Sequence, residues 1–193
     1  MPVASGGSPI LFLSTLLTLL RSICYTHRVK QTMLLKLAPS PEQHTALLET
    51  MHAFNDACTA IAQVAYDNQL ANKFTLQKLV YAAVRQQFGL SSQMAIRAIS
   101  KTTEAYKRDK RIQPFFRREG AITYDERLMS LKGPGEVSLL TLSGRVLVPL
   151  RIGEYQASHL DQIKGQADVL YRNGTFFLAV TLDVATPEPQ ETT

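Results

Sequence analysis

The apolar residues of this chain change their period once. From Leu47 to Ala105 they recur at spacings of three and four, and from Ala121 onward they recur at every second position. A period near 3.6 lines one face of a helix, whereas a period of two lines one face of a strand. The chain therefore builds helices first and a sheet second. The stretch from Gly89 to Arg118, GLSSQMAIRAISKTTEAYKRDKRIQPFFRR, is where one gives way to the other. With 193 residues, 45% of them hydrophobic, the chain can bury a core as one medium domain or two small ones.

Ahead of the helices, His27 to Leu37 reads as a short strand, with Val29, Leu35 and Leu37 among basic residues. Ser40 then fits an N-cap, Pro41 the first helical position and Gln43 the third position of a capping box. Leu47, Met51, Phe54, Cys58, Ile61 and Ala65 follow as a coiled-coil-like seam that needs a partner helix. Thr75 is the expected cap of a second helix, with the stripe Leu76, Leu79, Val80, Ala83 and Val84 and a stop at Gly89. Ser91 or Ser92 caps a third, whose Ala95, Ala98, Thr102 and Ala105 form a narrow packing face.

Beyond Ala121 the pattern is that of strands. Glu136–Leu142 and Arg145–Ile152 read as a hairpin turning at Ser143-Gly144, with Val146, Val148, Leu150 and Ile152 on one face. Pro149 removes a backbone donor and predicts an edge strand or a bulge. Tyr155–Ile163 reads as a short helix or a crossing loop. Asn173-Gly174, between Gln166–Tyr171 and Thr175–Val184, predicts a type I′ hairpin turn. Several short strands with tight turns suggest a small barrel or a half-open sandwich, which the strand near Val29–Leu37 would complete. The expected fold class is α+β: an N-terminal strand, an inserted three-helix bundle, then a small antiparallel β-barrel.

Charge is concentrated at the hinge. Arg97, Lys101, Lys107, Arg108, Lys110, Arg111, Arg117 and Arg118 stand against Glu104 and Asp109, a local charge of +6 in a chain of +5 overall. On the third helix, Arg97, Lys101, Arg108 and Arg111 share an arc of roughly 80° at about 100° per residue. Ion pairs between neighbouring turns account for Arg108 with Glu104 but not for the other cations. Clustered unpaired cations gain most from a polyanion, which points to nucleic-acid phosphates. Tyr106, Phe115, Phe116 and Tyr124 interleave with them. Tyr106 is the expected base contact, and Phe115 or Phe116 is expected to be buried at the junction.

The two cysteines, Cys24 and Cys58, fit no zinc pattern, and Cys58 falls on the helical seam as a core residue. Their number fits a reducing cytoplasm. The apolar run Ile10–Leu20 is short for a bilayer span of about 20 residues. No positive charge precedes the run and no small-residue cleavage site follows it. Residues 1–26 are read as a leader made by read-through from an upstream start codon. A signal peptide or membrane anchor is the competing reading, and no membrane partner is expected. Thr186–Thr193 has linker composition, which suggests a chain stopping at a domain boundary.

Six segments together resemble a known family. LKLAPSPEQ, FNDACTAIAQVAY, QKLVYAAVRQQFGLSSQMAIRAISKTTEAYKRDK, YDERLMSLKG, LLTLSGRVLVPL and KGQADVLYRNGTFFLAVTLDV are similar, in order, to the N-terminal part of TnpB-type (OrfB) proteins. These are RNA-guided nucleases of insertion sequences, related to type V CRISPR effectors. The resemblance covers about His27 to Pro189. It implies a wedge barrel of oligonucleotide-binding type, begun by residues 27–40 and resumed by residues 113–186. A helical recognition domain at residues 41–112 interrupts it, and residues 187–193 are a Pro-rich linker.

The resemblance also implies RNA and DNA as partners. Arg97, Lys101, Tyr106, Lys107, Arg108, Lys110, Arg111, Arg117, Arg118 and Arg145 lie in the corresponding region, with Tyr81, Arg85 and Gln93. The family's acidic triad and zinc ribbon would follow the linker, and Asp161, Asp168 and Asp183 do not match that triad. The expectation is a chain without catalytic residues, metal or cofactor, leaving room for a separately encoded nuclease half. A stand-alone nucleic-acid-binding regulator and a helical interaction module, dimerising through the Leu47–Ala65 seam, are the alternatives.

Overall fold

The structure is a computed structural model that describes residues 28–133 and 135–185. The readings of the leader and of the C-terminal linker lie outside these residues. Residues 31–182 form one compact unit, to which the following refers. The described residues 28–30 and 183–185 belong to a second; Val29, Lys30 and Asp183 are exposed there.

Strand β1 (Arg28–Leu37) buries Met33, Leu35 and Leu37 and exposes Leu34 and Lys36, the alternation of a strand with one covered face. Helix α1 (Pro41–Asp67) starts at Ser40 with the full capping box. Gln43 N–H donates to Ser40 Oγ at 3.3 Å, and Ser40 N–H donates to Gln43 Oε1 at 3.0 Å. Such a cap stabilises a helix by about 1 kcal/mol. All six residues of the seam from Leu47 to Ala65 are buried.

Helix α2 (Lys73–Phe88) is capped by Asn72 rather than Thr75; Asn72 Oδ1 accepts the Phe74 and Thr75 amides at 2.9 and 3.2 Å. It buries Leu76, Val80 and Val84, while Leu79 and Ala83 border an open apolar groove against α1. Gly89, at φ +65°, ends it. Ser91 caps helix α3 (Ser92–Arg108), which packs Met94, Ala95, Ala98, Ile99, Thr102, Thr103 and Tyr106 inward. The three helices contact one another pairwise, so the α1 seam is consumed inside the bundle.

The remaining strands are β2 (Ile122–Tyr124), β3 (Met129–Lys132), β4 (Glu136–Thr141), β5 (Gly144–Arg151), β6 (Ile163–Arg172) and β7 (Thr175–Ala185). The crossing segment before β6 is a short helix α4 (Glu154–Ala157) and a 3₁₀ turn (Leu160–Gln162). The sheet order is β2-β6-β7-β1-β5-β4-β3, a nearly closed antiparallel barrel that the helices enter between β1 and β2. Phe176, Leu178, Val180 and Leu182 fill its interior with Val148, Leu139 and Leu35. Asn173 and Gly174 both have positive φ, 48° and 74°, as a type I′ turn requires.

Two expectations shift. The β4–β5 turn is Leu142-Ser143, since Thr141 pairs with Gly144. Pro149 lies in an internal strand, flanked by β4 and β1, rather than at an edge. Its ring is tolerated because β1 ends beside it: Leu37 pairs with Leu150, and Ala38 N–H donates to the Pro149 carbonyl at 2.8 Å. No ladder bond is needed from the missing amide. The edge strands β2 and β3 are consecutive in sequence, so the turn Asp125–Leu128 bridges the seam of the barrel. Across that seam Tyr124 Oη donates to the Leu140 carbonyl at 2.8 Å.

Candidate nucleic-acid interface

The seam turn also holds the helices. Asp125 Oδ1 accepts the Arg127 amide at 3.0 Å and the Leu128 amide at 3.2 Å, which folds the turn. Its Oδ2 accepts Arg97 Nε at 2.9 Å and a short bond from Gln93 Nε2, both from α3. Arg97 and Asp125 side chains are 20% and 14% exposed, so this is a half-buried ion pair. Partial burial pushes the Asp125 carboxyl up, but the Gln93 bond, the Arg97 charge and the backbone donor outweigh it and hold it below the ordinary range.

A second junction centres on Asn55, fully buried on α1. Its Nδ2 donates to the carbonyls of Met51 (3.1 Å), Arg118 (3.1 Å) and Gly120 (2.8 Å). Its Oδ1 accepts Lys101 Nζ at 3.0 Å, and Lys101 also donates to the Ala121 carbonyl. The ammonium lies 5.5 Å from the Phe54 ring centroid and 5.3 Å from that of Phe116. Burial lowers the Lys101 pKa. A Cβ at Gly120 would meet the Arg117 carbonyl at 2.8 Å, so the chain turns here on a glycine.

These contacts belong to a longer staple. Gln63 Oε1 accepts Gln113 Nε2 at 2.9 Å, Thr59 Oγ1 donates to the Phe116 carbonyl at 3.4 Å, and Asp56 accepts Arg118 Nε at 3.1 Å. Asn55, Thr59 and Gln63 are spaced four apart and form one polar stripe of α1. The basic segment is therefore laid antiparallel along α1 in an irregular conformation. Its backbone is tied inward and several of its side chains are left outward.

The predicted contact residues divide accordingly. Lys107, Arg108, Lys110, Arg111, Arg117 and Arg118 are exposed. Arg111 pairs with Asp109 and Arg118 with Asp56, while Lys107, Arg108, Lys110 and Arg117 have no ion-pair partner among the described residues. Arg97 and Lys101 are committed to the two junctions. Arg145 donates to Ser138 Oγ at 3.3 Å and to the Arg127 carbonyl at 2.6 Å, bracing the seam turn. Arg85 lies 5.6 Å from the Tyr81 ring centroid.

Three expectations are corrected. Tyr106 is not at the surface: it is fully buried, edge-on to Tyr66, with its hydroxyl donating to Gln69 Oε1 at 3.2 Å. Its place at spacing four from Thr102 put it on the packing face. Of the two rings of which one was expected at the junction, Phe116 is the one there, half-buried against Lys101, and Phe115 is 78% exposed. The shared arc also dissolves, because α3 stops at Arg108 and Asp109 is extended (φ −147°, ψ 106°), which takes Arg111 off the helix. Glu104 forms no ion pair with Arg108 among the described residues.

Asp125 and Asn55, which organise the two junctions, lie outside the set expected from the sequence. The polar stripe Asn55, Thr59 and Gln63 beside the apolar seam was the available signal for the second. Asp168 accepts Thr123 Oγ1 at 2.7 Å across β2 and β6. No group of three His, Cys, Asp or Glu among the described residues is placed to hold a metal, and no described helix is long and apolar enough to cross a membrane. No protein-family model matches the chain, and no curated protein matches it significantly.

Proposed function

We propose that this chain binds nucleic acid, and that it is the N-terminal gripping part of a TnpB-type RNA-guided protein, holding guide RNA and target DNA in the cytoplasm without cutting. The observation that carries the first statement is the set of unpaired exposed cations: Lys107 and Arg108 at the end of α3, Lys110 just beyond it, and Arg117 on the segment stapled to α1. A surface that served only solubility would intersperse both signs; here the like charges repel and are relieved by phosphates. A strand, a helical insert and a resumed barrel, in that order, support the family reading.

Titrating binding to RNA, single-stranded DNA and duplex against salt tests this. Affinity is expected to fall steeply with salt. Replacing Arg108, Lys110 and Arg117 by Ala should reduce the slope by roughly 0.7–0.9 for each phosphate no longer neutralised, with the melting temperature unchanged. Absence of binding at low salt overturns the reading. With magnesium and the element's RNA, target DNA should stay intact; cleavage abolished by mutating Asp161, Asp168 or Asp183 would sink the non-cutting part.

A further inference from the structure

The basic surface contains a concavity at the start of α2. An open cleft of about 670 Å³ is lined by Ala71, Asn72, Lys73 and Phe74, at the start of α2, and by Lys107 and Lys110, at and beyond the end of α3. The ring of Phe74 is 73% exposed, which is unusual for a phenylalanine with a bundle core one turn away. Leu76, two residues on, is fully buried, so α2 presents Phe74 outward as its apolar stripe goes in. Lys73, Lys107 and Lys110 line the same cleft as the ring, and none is ion-paired among the described residues. The nearest acid in sequence, Asp109, is held by the Arg111 amide at 3.0 Å and its guanidinium at 3.2 Å.

We propose that this cleft takes an unpaired strand of nucleic acid, with a base stacked on Phe74 and the flanking phosphates on Lys73, Lys107 and Lys110. Three cations and one uncovered ring lining a single cleft match the alternation of charge and flat apolar surface along a single strand. A duplex offers the charge but keeps its base faces stacked and inaccessible. An anionic bilayer also attracts cations and apolar side chains, but a flat surface does not fill a concave cleft. The inference rests on the proposed nucleic-acid binding and adds to it a substrate class and a ring. Because Phe74 is outside the core, its replacement leaves the fold intact.

The chain has no tryptophan, so Phe74→Trp introduces a single fluorescent reporter at the site. Single-stranded oligouridylate or oligothymidylate should quench its emission, and an abasic strand with the same number of phosphates should bind without quenching. Phe74→Ala should weaken single-strand binding about tenfold and leave duplex binding and the melting temperature unchanged. If single strands bind but neither quench the reporter nor distinguish Phe74→Ala from the native chain, the cleft proposal fails and the broader function stands. If no nucleic acid binds the native chain, both fail. Binding of phosphatidylserine vesicles through Phe74, with no single-strand binding, would assign the cleft to a lipid surface and overturn it.

Discussion

Asn55 is the residue on which the basic segment depends. One fully buried amide satisfies the carbonyls of Arg118 and Gly120 and accepts from the Lys101 ammonium. Removing one partner of a buried polar group leaves the others desolvated and unpaired, and that is costlier than losing the bond. Asn55→Ala is expected to destabilise the chain by about 3 kcal/mol, read by urea denaturation. The same substitution should raise hydrogen exchange at residues 116–121, because the staple fails there first. Lys101, though a lysine in a basic run, belongs to this internal network and to the rings of Phe54 and Phe116.

At the scale of elements, the basic surface is made where regular structure ends. Helix α3 stops at Arg108, and the cations beyond it ride on an irregular segment that α1 holds by a stripe of side chains. The β6–β7 hairpin is the opposite case: its two turn residues determine its register, and register in turn sends Phe176, Leu178, Val180 and Leu182 inward. Gly174 has open space where a Cβ would lie, so a substitution there meets no clash, only an unfavourable backbone. Gly174→Ala should cost about 1 kcal/mol in denaturant unfolding, with binding to nucleic acid unchanged.

At the scale of the whole unit, the helical insert and the barrel are joined at the barrel's own seam. Asp125 folds the turn that closes β2 toward β3, and the same carboxylate receives Gln93 and Arg97 from α3. Its carboxyl titrates below the ordinary range in the folded chain, so the folded state favours the charged form. The stability this contributes is present above the unfolded value near ~3.9 and is lost as pH falls through the lowered folded value. Acid unfolding followed by circular dichroism should show that loss in the native chain. Asp125→Asn, which cannot titrate, should be less stable at neutral pH and lack this part of the acid transition.

Local spacing encodes the three helices, β1 and the hairpins β4–β5 and β6–β7 in their order, but not the short edge strands β2 and β3. The cap at Ser40, the seam from Leu47 to Ala65, the stop at Gly89 and the turn at Asn173-Gly174 all follow from interactions within a few residues, and such interactions are written in spacing. The sequence also located the basic run. Which of those cations and rings face solvent was decided by tertiary structure, because the deciding partners are remote. Arg97 meets Asp125 28 residues on, Tyr106 meets Gln69 37 residues back, and Asn55 meets Gly120 across 65. A cation's availability depends on whether a carboxylate or carbonyl arrives from elsewhere in the chain. No local period encodes that arrival, and it separates Lys101 from Lys107 and Tyr106 from Phe115.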